Sequence, residues 1–252
     1  TPTTAVTEEW DGSSWTSGGS LGTARYQLSG NNIGTQTASL CVGGFSGSAK
    51  SEVEEYNGSS WTAGGALPTA EGIAARYGLQ TAATIAGGGP GPAPNTTARQ
   101  YDGSSWTTIP SIATGRQFLS GCGSNSAGLI FGGNPGSPAV TATEEYNFTA
   151  NTITPAAWAS GGALGTARDK AGSFGLQTAA AVVGGETPAI TNATEEYDGS
   201  SWTAGGVYPS SRYGIAALGT QTAGVGFGGY TPTSATNVTA EYDGSSWTAV
   251  NN

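Results

Sequence analysis

One seven-residue phrase recurs along the whole chain. Trp10-Asp11-Gly12-Ser13-Ser14-Trp15-Thr16 returns as Tyr56-Asn57-Gly58-Ser59-Ser60-Trp61-Thr62, and again from Tyr101, Tyr197 and Tyr242. A looser copy starts at Tyr146, where seven extra residues delay the tryptophan to Trp158. The aromatic starts at 10, 56, 101, 146, 197 and 242 are separated by 46, 45, 45, 51 and 45 residues. A period of this length marks a tandem array whose units bury apolar surface on their neighbours. A second block alternates with the first. Its clearest form runs from Arg212-Tyr213-Gly214 through Gly219-Thr220-Gln221-Thr222 to Phe227-Gly228-Gly229. Equivalent glycine pairs stand at Gly43-Gly44, Gly87-Gly88, Gly132-Gly133 and Gly184-Gly185, giving five such blocks against six aromatic ones.

Each unit divides into four short strands, A to D. Strand A follows the arginine position, as in Tyr213 to Leu218. A Gly-x-Gln-Thr turn leads into strand B, which ends at the glycine pair. A loop of roughly ten residues leads to strand C, as in Val238 to Tyr242. Asp243-Gly244 then turns into strand D with Trp247, since Asp-Gly and Asn-Gly tolerate positive φ. Gly, Ala and Thr dominate A and B, while Tyr and Trp fall in C and D. Sheets that radiate from an axis must be narrow inside and wide outside, and this size gradient fits such a wedge. With 43 Gly, 10 Tyr, 7 Trp and only 10% charged residues, the composition suits short strands and tight turns. The expectation is a single all-β domain over residues 1–252, a β-propeller of five four-stranded blades, with six as the alternative count. The repeats span about 16–61, 62–106, 107–158, 159–202 and 203–247. Residues 1–15 form a spare C–D hairpin, expected to pack outside the ring or to pair with a neighbouring chain.

Arg, a small-residue strand, Gly-Gly, then Tyr-Asp and Trp-Thr resemble the kelch repeat of galactose-oxidase-like propellers, over about residues 16 to 247. The phrase Glu-Tyr-Asp-Gly-Ser-Ser-Trp-Thr-Ala resembles, more narrowly, kelch-like proteins encoded by marine bacteriophages and found as virion or tail components. Two features depart from the kelch pattern: a short C–D turn, and Glu71 at the arginine position of the second unit. The resemblance implies the fold. It does not imply the oxidase activity, because that copper site needs imidazole ligands and this chain has no histidine.

The missing histidine also excludes Ser-His-Asp and Cys-His catalysis. A net charge of −9 with eight basic residues argues against a nucleic-acid partner. No apolar run approaches the length needed to span a bilayer. The chain has no Met and starts at Thr1, which reads as a processed product or a piece of a longer polypeptide. Cys41 and Cys122 sit at non-equivalent positions and are expected as two free, buried thiols.

Four acid pairs, Glu8-Glu9, Glu54-Glu55, Glu144-Glu145 and Glu195-Glu196, hold two carboxylates each. Adjacent strand residues point to opposite faces, so a glycosidase pair is disfavoured and a solvated outer strand expected. Arg25, Glu71, Arg116, Arg168 and Arg212 occupy one position in the five units. They are expected to ring a mouth of the central channel, either as a ligand site for anions or sugar acids, or as structural donors to carbonyls. The B–C loops differ from unit to unit and should share one face with the D–A loops, the arrangement of a binding surface on a rigid scaffold. The insertion Phe148 to Pro155 falls at the opposite end. Asn57, Asn95, Asn147, Asn192 and Asn237 head short sequons that carry glycans only in a glycosylating route.

These readings lead to a non-catalytic structural or attachment module without cofactor or metal, a virion or extracellular component. It would bind a host glycan or another coat protein through its loop face, and the spare hairpin offers a route to a homo-oligomer. The alternative is a soluble lectin with one carbohydrate site per unit.

Overall fold

The computed structural model describes residues 3–28, 31–91, 93–148 and 157–250. Its regular structure is entirely β, with no helix among the described residues. A first hairpin pairs β1 (Glu8–Trp10) with β2 (Trp15–Ser17). Unit I follows with β3 (Asn31–Thr35), β4 (Ala38–Val42), a loop hairpin of β5 (Phe45–Ser46) and β6 (Ser48–Ala49), then β7 (Val53–Tyr56) and β8 (Trp61–Ala63). Unit II is β9 (Ala75–Leu79), β10 (Ala82–Ala86), β11 (Ala98–Tyr101) and β12 (Trp106–Ile109). Unit III is β13 (Ser120–Gly123), β14 (Ala127–Phe131), β15 (Thr143–Asn147) and β16 (Ala157–Ser160). Unit IV is β17 (Gly172–Leu176), β18 (Ala179–Val183), a loop hairpin of β19 (Glu186–Thr187) and β20 (Ala189–Ile190), then β21 (Thr194–Tyr197) and β22 (Trp202–Ala204). Unit V is β23 (Ala216–Thr220), β24 (Ala223–Phe227), β25 (Thr239–Tyr242) and β26 (Trp247–Val250).

Each unit is an antiparallel A-B-C-D meander, and units I and II merge into one eight-stranded sheet through parallel pairing of β3 with β9. The A strands of successive units lie side by side, which makes the fold β-propeller-like. Strand A of unit V begins three residues later than the sequence suggests, at Ala216 and not at Tyr213. Tyr213 is used in a bridge to Tyr230, and Gly214 takes a left-handed φ of 65°.

Every core cluster straddles a unit boundary. Ile33, Leu40 and Val42 of unit I pack with Ala83 and Ile85 of unit II. Tyr77 meets Leu119 and Ile130, Phe131 meets Val182 and Tyr197, and Phe174 meets Tyr208 and Ile215 at the next three boundaries. Burying one such side chain contributes about 1.5–3 kcal/mol, so a unit gains most of its stability from its neighbours. The small residues of strand B are required by this packing. A Cβ on Gly224 would stand 2.5 Å from the Phe174 ring.

Polar clasps repeat at the same boundaries. The indole of Trp202 donates to Thr143 of the preceding unit at 3.2 Å, and that of Trp247 to Thr194 at 2.9 Å. Where the preceding unit has Val53 or Ala98 instead of threonine, Trp106 donates to the Gly65 carbonyl and Trp158 to that of Pro110. The phenols of Tyr101, Tyr197 and Tyr242 donate to Glu55, Glu145 and Glu196 of the preceding unit at 2.7, 2.6 and 2.5 Å.

The first hairpin makes both kinds of clasp. Trp15 donates to Thr239 of unit V at 3.3 Å and lies 4.9 Å from the Phe227 ring. On its other side Thr7 accepts from Trp61 at 2.8 Å, and Glu9 accepts from Tyr56. The hairpin therefore sits between units V and I, in line with the units. The expectation that it packs outside the ring is corrected, because its contacts are those of a C–D pair in its own place. It does not compete with the C-terminal C–D pair, which belongs to unit V.

In the C–D turns, Asp11, Asp102, Asp198 and Asp243 each accept two backbone N–H bonds and a serine hydroxyl through one oxygen. These bonds hold the carboxyls at a pKa of about 2. Asn57 accepts the same set in unit I without an ionisable group. A depressed carboxyl stabilises the fold above its unfolded pKa, and that share is lost as pH falls through about 2. Replacing the four aspartates by Asn should leave stability at neutral pH nearly unchanged and make its decline between about pH 4 and 2 shallower. Urea unfolding at stepped pH reads both, and an unaltered acid limb would contradict this account.

Candidate functional site

The residues expected to ring the channel mouth are buried inside the sheets. Arg25, Glu71, Arg116, Arg168 and Arg212 are each 2% exposed or less. Nη1 of Arg25 donates to the Gly43 and Glu52 carbonyls, and Nη2 to Glu54 at 2.6 Å. Arg116 repeats this with Gly132, Ala142 and Glu144 at 2.5 Å, and Arg168 with Gly184, Ala193 and Glu195. The guanidinium thus ties the end of strand B to the start of strand C within its own unit. Burial pushes the pKa of Arg116 and Arg168 down, and the partner glutamates oppose that shift. These arginines offer no terminal nitrogen to solvent, so the geometry is that of the structural alternative.

The same contacts explain the paired acids. In units I, III and IV the first glutamate is buried against the arginine, and the second binds the next unit's tyrosine. The expectation of a solvated outer strand is corrected for these three pairs; in the first hairpin Glu8 is exposed, as expected, and Glu9 accepts from Tyr56. Unit II carries the pair in reverse. Glu71 stands at the arginine position, and Arg99 stands where the other units have Glu54, Glu144 and Glu195; the two meet at 3.2 Å. Burial raises the pKa of Glu71, against the pull of Asn95 and Arg99. In unit V the glutamate position is Ala240, and Arg212 turns to the Ser210 hydroxyl.

The end of the inner strands is ringed by the residues two places further on. Gln27, Ile73, Phe118 and Lys170 hold left-handed φ values of 57°, 50°, 54° and 51°, and Gly214 one of 65°. A run of backbone bonds links four of them across three boundaries: Phe118 N–H to Ile73, Lys170 N–H to Phe118 and Gly214 N–H to Lys170, at 3.0, 3.1 and 2.7 Å. Repeated left-handed conformations at non-glycine residues are costly and gather where geometry is imposed.

The B–C and D–A loops share this end. Bridges join Tyr26 to Phe45, Gly72 to Gly89, Gln117 to Asn134, Asp169 to Glu186 and Tyr213 to Tyr230. Here lies an asymmetric cluster. Lys170 Nζ sits 2.7 Å from Glu186 and 5.4 Å from the ring centres of both Phe118 and Tyr213. Tyr213 stacks on Tyr230 at 5.6 Å, and Tyr230 is 48% exposed. Burial works to lower the Lys170 pKa, but the Glu186 hydrogen bond and the neighbouring charges prevail and raise it. The other units have Gln27, Ile73, Phe118 and Gly214 at the Lys170 position, so the cluster occurs in one place. Nothing in the repeat marked it.

Cys41 and Cys122 are free and buried, as expected, and burial pushes Cys122 up to about 12. Sequon residues are partly absorbed: Asn95 donates to Glu71 and Asn192 to the Tyr208 carbonyl. Most of the insertion after Tyr146 lies outside the described residues. A cavity of about 390 Å³ opens between the first hairpin and the inner strands of units I, IV and V.

No family model matches the chain, and no curated protein does. A solved structure described as "Structure of YjhT" is similar in fold, with a TM-score of 0.78 over 100% of this chain and 98% of that one, at 13% identity. The likeness supports the propeller-like architecture and carries nothing about activity.

The reversed pair gives a direct test of the clasp. Glu71→Arg should destabilise by about 3–5 kcal/mol, since it faces two buried cations with each other. Adding Arg99→Glu should restore most of that loss, because the double variant has the arrangement of units I, III and IV. Denaturant unfolding of the three proteins reads the cycle, and a double variant no more stable than the single one would refute the clasp.

Proposed function

We propose that this chain is a non-catalytic attachment module, a kelch-type propeller that presents its loop face to a glycan or to another coat protein on a virion or cell surface. The observation that carries the reading is the division of labour among polar residues. The repeated arginines, most of the paired glutamates and the repeated tyrosines are consumed in clasps within and between units, whereas an exposed aromatic stack, an ammonium and a carboxylate meet on the variable loop face. An aromatic platform beside a Lys–Glu pair suits a sugar ring, whose C–H face stacks and whose hydroxyls bond both charges. In this reading the first hairpin is the outer half of a sixth ring position.

A lectin with one equivalent site per unit is weaker. Its aromatic platforms would be the tryptophans, and six of the seven donate their indole N–H to neighbouring structure.

Glycan-array binding of the chain, repeated with Tyr230→Ser and Lys170→Gln, tests the proposal. Each change should weaken binding at least about tenfold, near 1.4 kcal/mol, with an unchanged melting temperature. Binding that survives both changes would move the site off the loop face. Failure to bind glycans, with co-sedimentation on particles abolished by the same changes, would favour the coat-protein partner.

A further inference from the structure

One buried cation has no counter-charge. Arg76 lies on strand A of unit II and is 0% exposed. Its Nη1 donates to the Ala74 carbonyl at 3.2 Å, while Nε and Nη2 have no hydrogen-bond partner. Those two groups form the side edge of the guanidinium, which takes an anion through two parallel N–H bonds. Leaving buried donors without acceptors, on a group without an opposite charge, is among the costliest arrangements in a protein interior.

Comparison of the units shows how singular this place is. Arg76, Ile85 and Arg99 stand in one row across strands A, B and C. The same row is Gly121, Ile130 and Glu144 in unit III, Ser173, Val182 and Glu195 in unit IV, and Ala217, Gly226 and Ala240 in unit V. Strand A carries a small neutral residue in each of those three. Cross-strand neighbours share a face, and Ile85 packs with Leu40 and Val42, so Arg76 faces the boundary with unit I. At the next boundary the inner strands are too close for such a side chain, since a Cβ on Gly121 would stand 3.1 Å from the Ala75 methyl. Units I and II meet differently, because β3 joins β9 in parallel, with the Cα of Asn31 opposite that of Arg76.

The charges around Arg76 are spent on each other. Arg25 pairs with Glu54 at 2.6 Å and Arg99 with Glu71 at 3.2 Å. Glu71 attracts Arg76 and Arg25 repels it, but Arg76 has no ion pair among the described residues. Cys41 does not supply the charge, because burial pushes its thiol up and keeps it protonated. Burial brings Arg76 down to about 10, which leaves it a cation at neutral pH. Two pairs cancel and one guanidinium remains, an excess of one positive charge. The Nε atoms of Arg25 and Arg99 also lack acceptors.

We propose that Arg76 is the core of a binding site for one small monovalent inorganic anion, of the chloride class, held side-on by Nε and Nη2 between units I and II. One negative charge balances the excess, and a doubly charged ion overshoots it. Arg76 has no exposed surface, so a carboxylate carried on a glycan or a peptide has no access. A water molecule would accept the bonds but leave the charge uncompensated. An ion held only by the folded chain stabilises it by linkage. The site lies in units I and II, away from the Lys170 cluster, and stands independently of the glycan reading.

Thermal unfolding of the whole chain in sodium gluconate and in sodium chloride, at one ionic strength, tests the site. Chloride should raise the melting temperature over gluconate by about 3 °C or more. Bromide should match chloride, and Arg76→Met, which keeps an apolar stem without the charge, should remove the difference. Crystals of the unaltered chain soaked in bromide give a second reading, an anomalous peak beside Nε and Nη2 of Arg76, which decides the matter if the variant fails to fold. Equal melting temperatures in chloride and gluconate would overturn the proposal. So would a chloride effect undiminished in Arg76→Met, or bromide peaks elsewhere with none at Arg76.

Discussion

Burial across unit boundaries is the constraint on which the rest of the structure depends. A four-stranded sheet this small has no interior of its own, and each apolar cluster here is completed by the next unit. Close approach of the inner strands demands glycine, at Gly128 and Gly224, where Tyr77 and Phe174 stand on the other side. The wide outer gaps are then filled by indoles, whose N–H groups need partners, and the threonine of the preceding unit supplies one wherever it is present. The recurring motif is the record of those packing and hydrogen-bonding needs, and it persists in the first hairpin because that hairpin meets the same neighbours.

Within a unit the fold relies on a second device. A buried guanidinium gathers two carbonyls and a carboxylate, so the sharp step from strand B into the loop is fixed by side-chain bonds where the glycine pair gives the backbone little stiffness. The reversed Glu71–Arg99 pair shows that charge complementarity is what this position demands. Arg212 shows the limit, since a serine hydroxyl replaces the carboxylate where unit V has Ala240.

Much of this was legible in the sequence. The period, the Asp-Gly turns and the drift from small to large residues give the strand order and the wedge shape. The diversity of the B–C loops points to the loop face. The reversed pair was also legible, in the strand C series Val-Glu-Glu-Tyr, Ala-Arg-Gln-Tyr and Thr-Glu-Glu-Tyr, but only once the arginine was known to need a carboxylate there. Two things were not legible. Gln27, Ile73, Phe118 and Lys170 have no preference for left-handed backbone, so neighbouring units impose that conformation and local propensity does not announce it. The place of the first hairpin was hidden for the same reason: its residues match any C–D pair, and only contacts with units V and I decide where it sits.

The most direct test of boundary packing is at the seam where the two ends of the chain meet. Trp15 and Phe227 are 4.9 Å apart across that seam, and Trp202 and Phe131 make the same contact inside the array at 4.8 Å. Nuclear Overhauser spectra of the whole chain should show cross-peaks of similar strength for both pairs. A cross-peak for Trp202 with Phe131 but none for Trp15 with Phe227 would mean that the first hairpin is held elsewhere, and that the units do not close on one another as described.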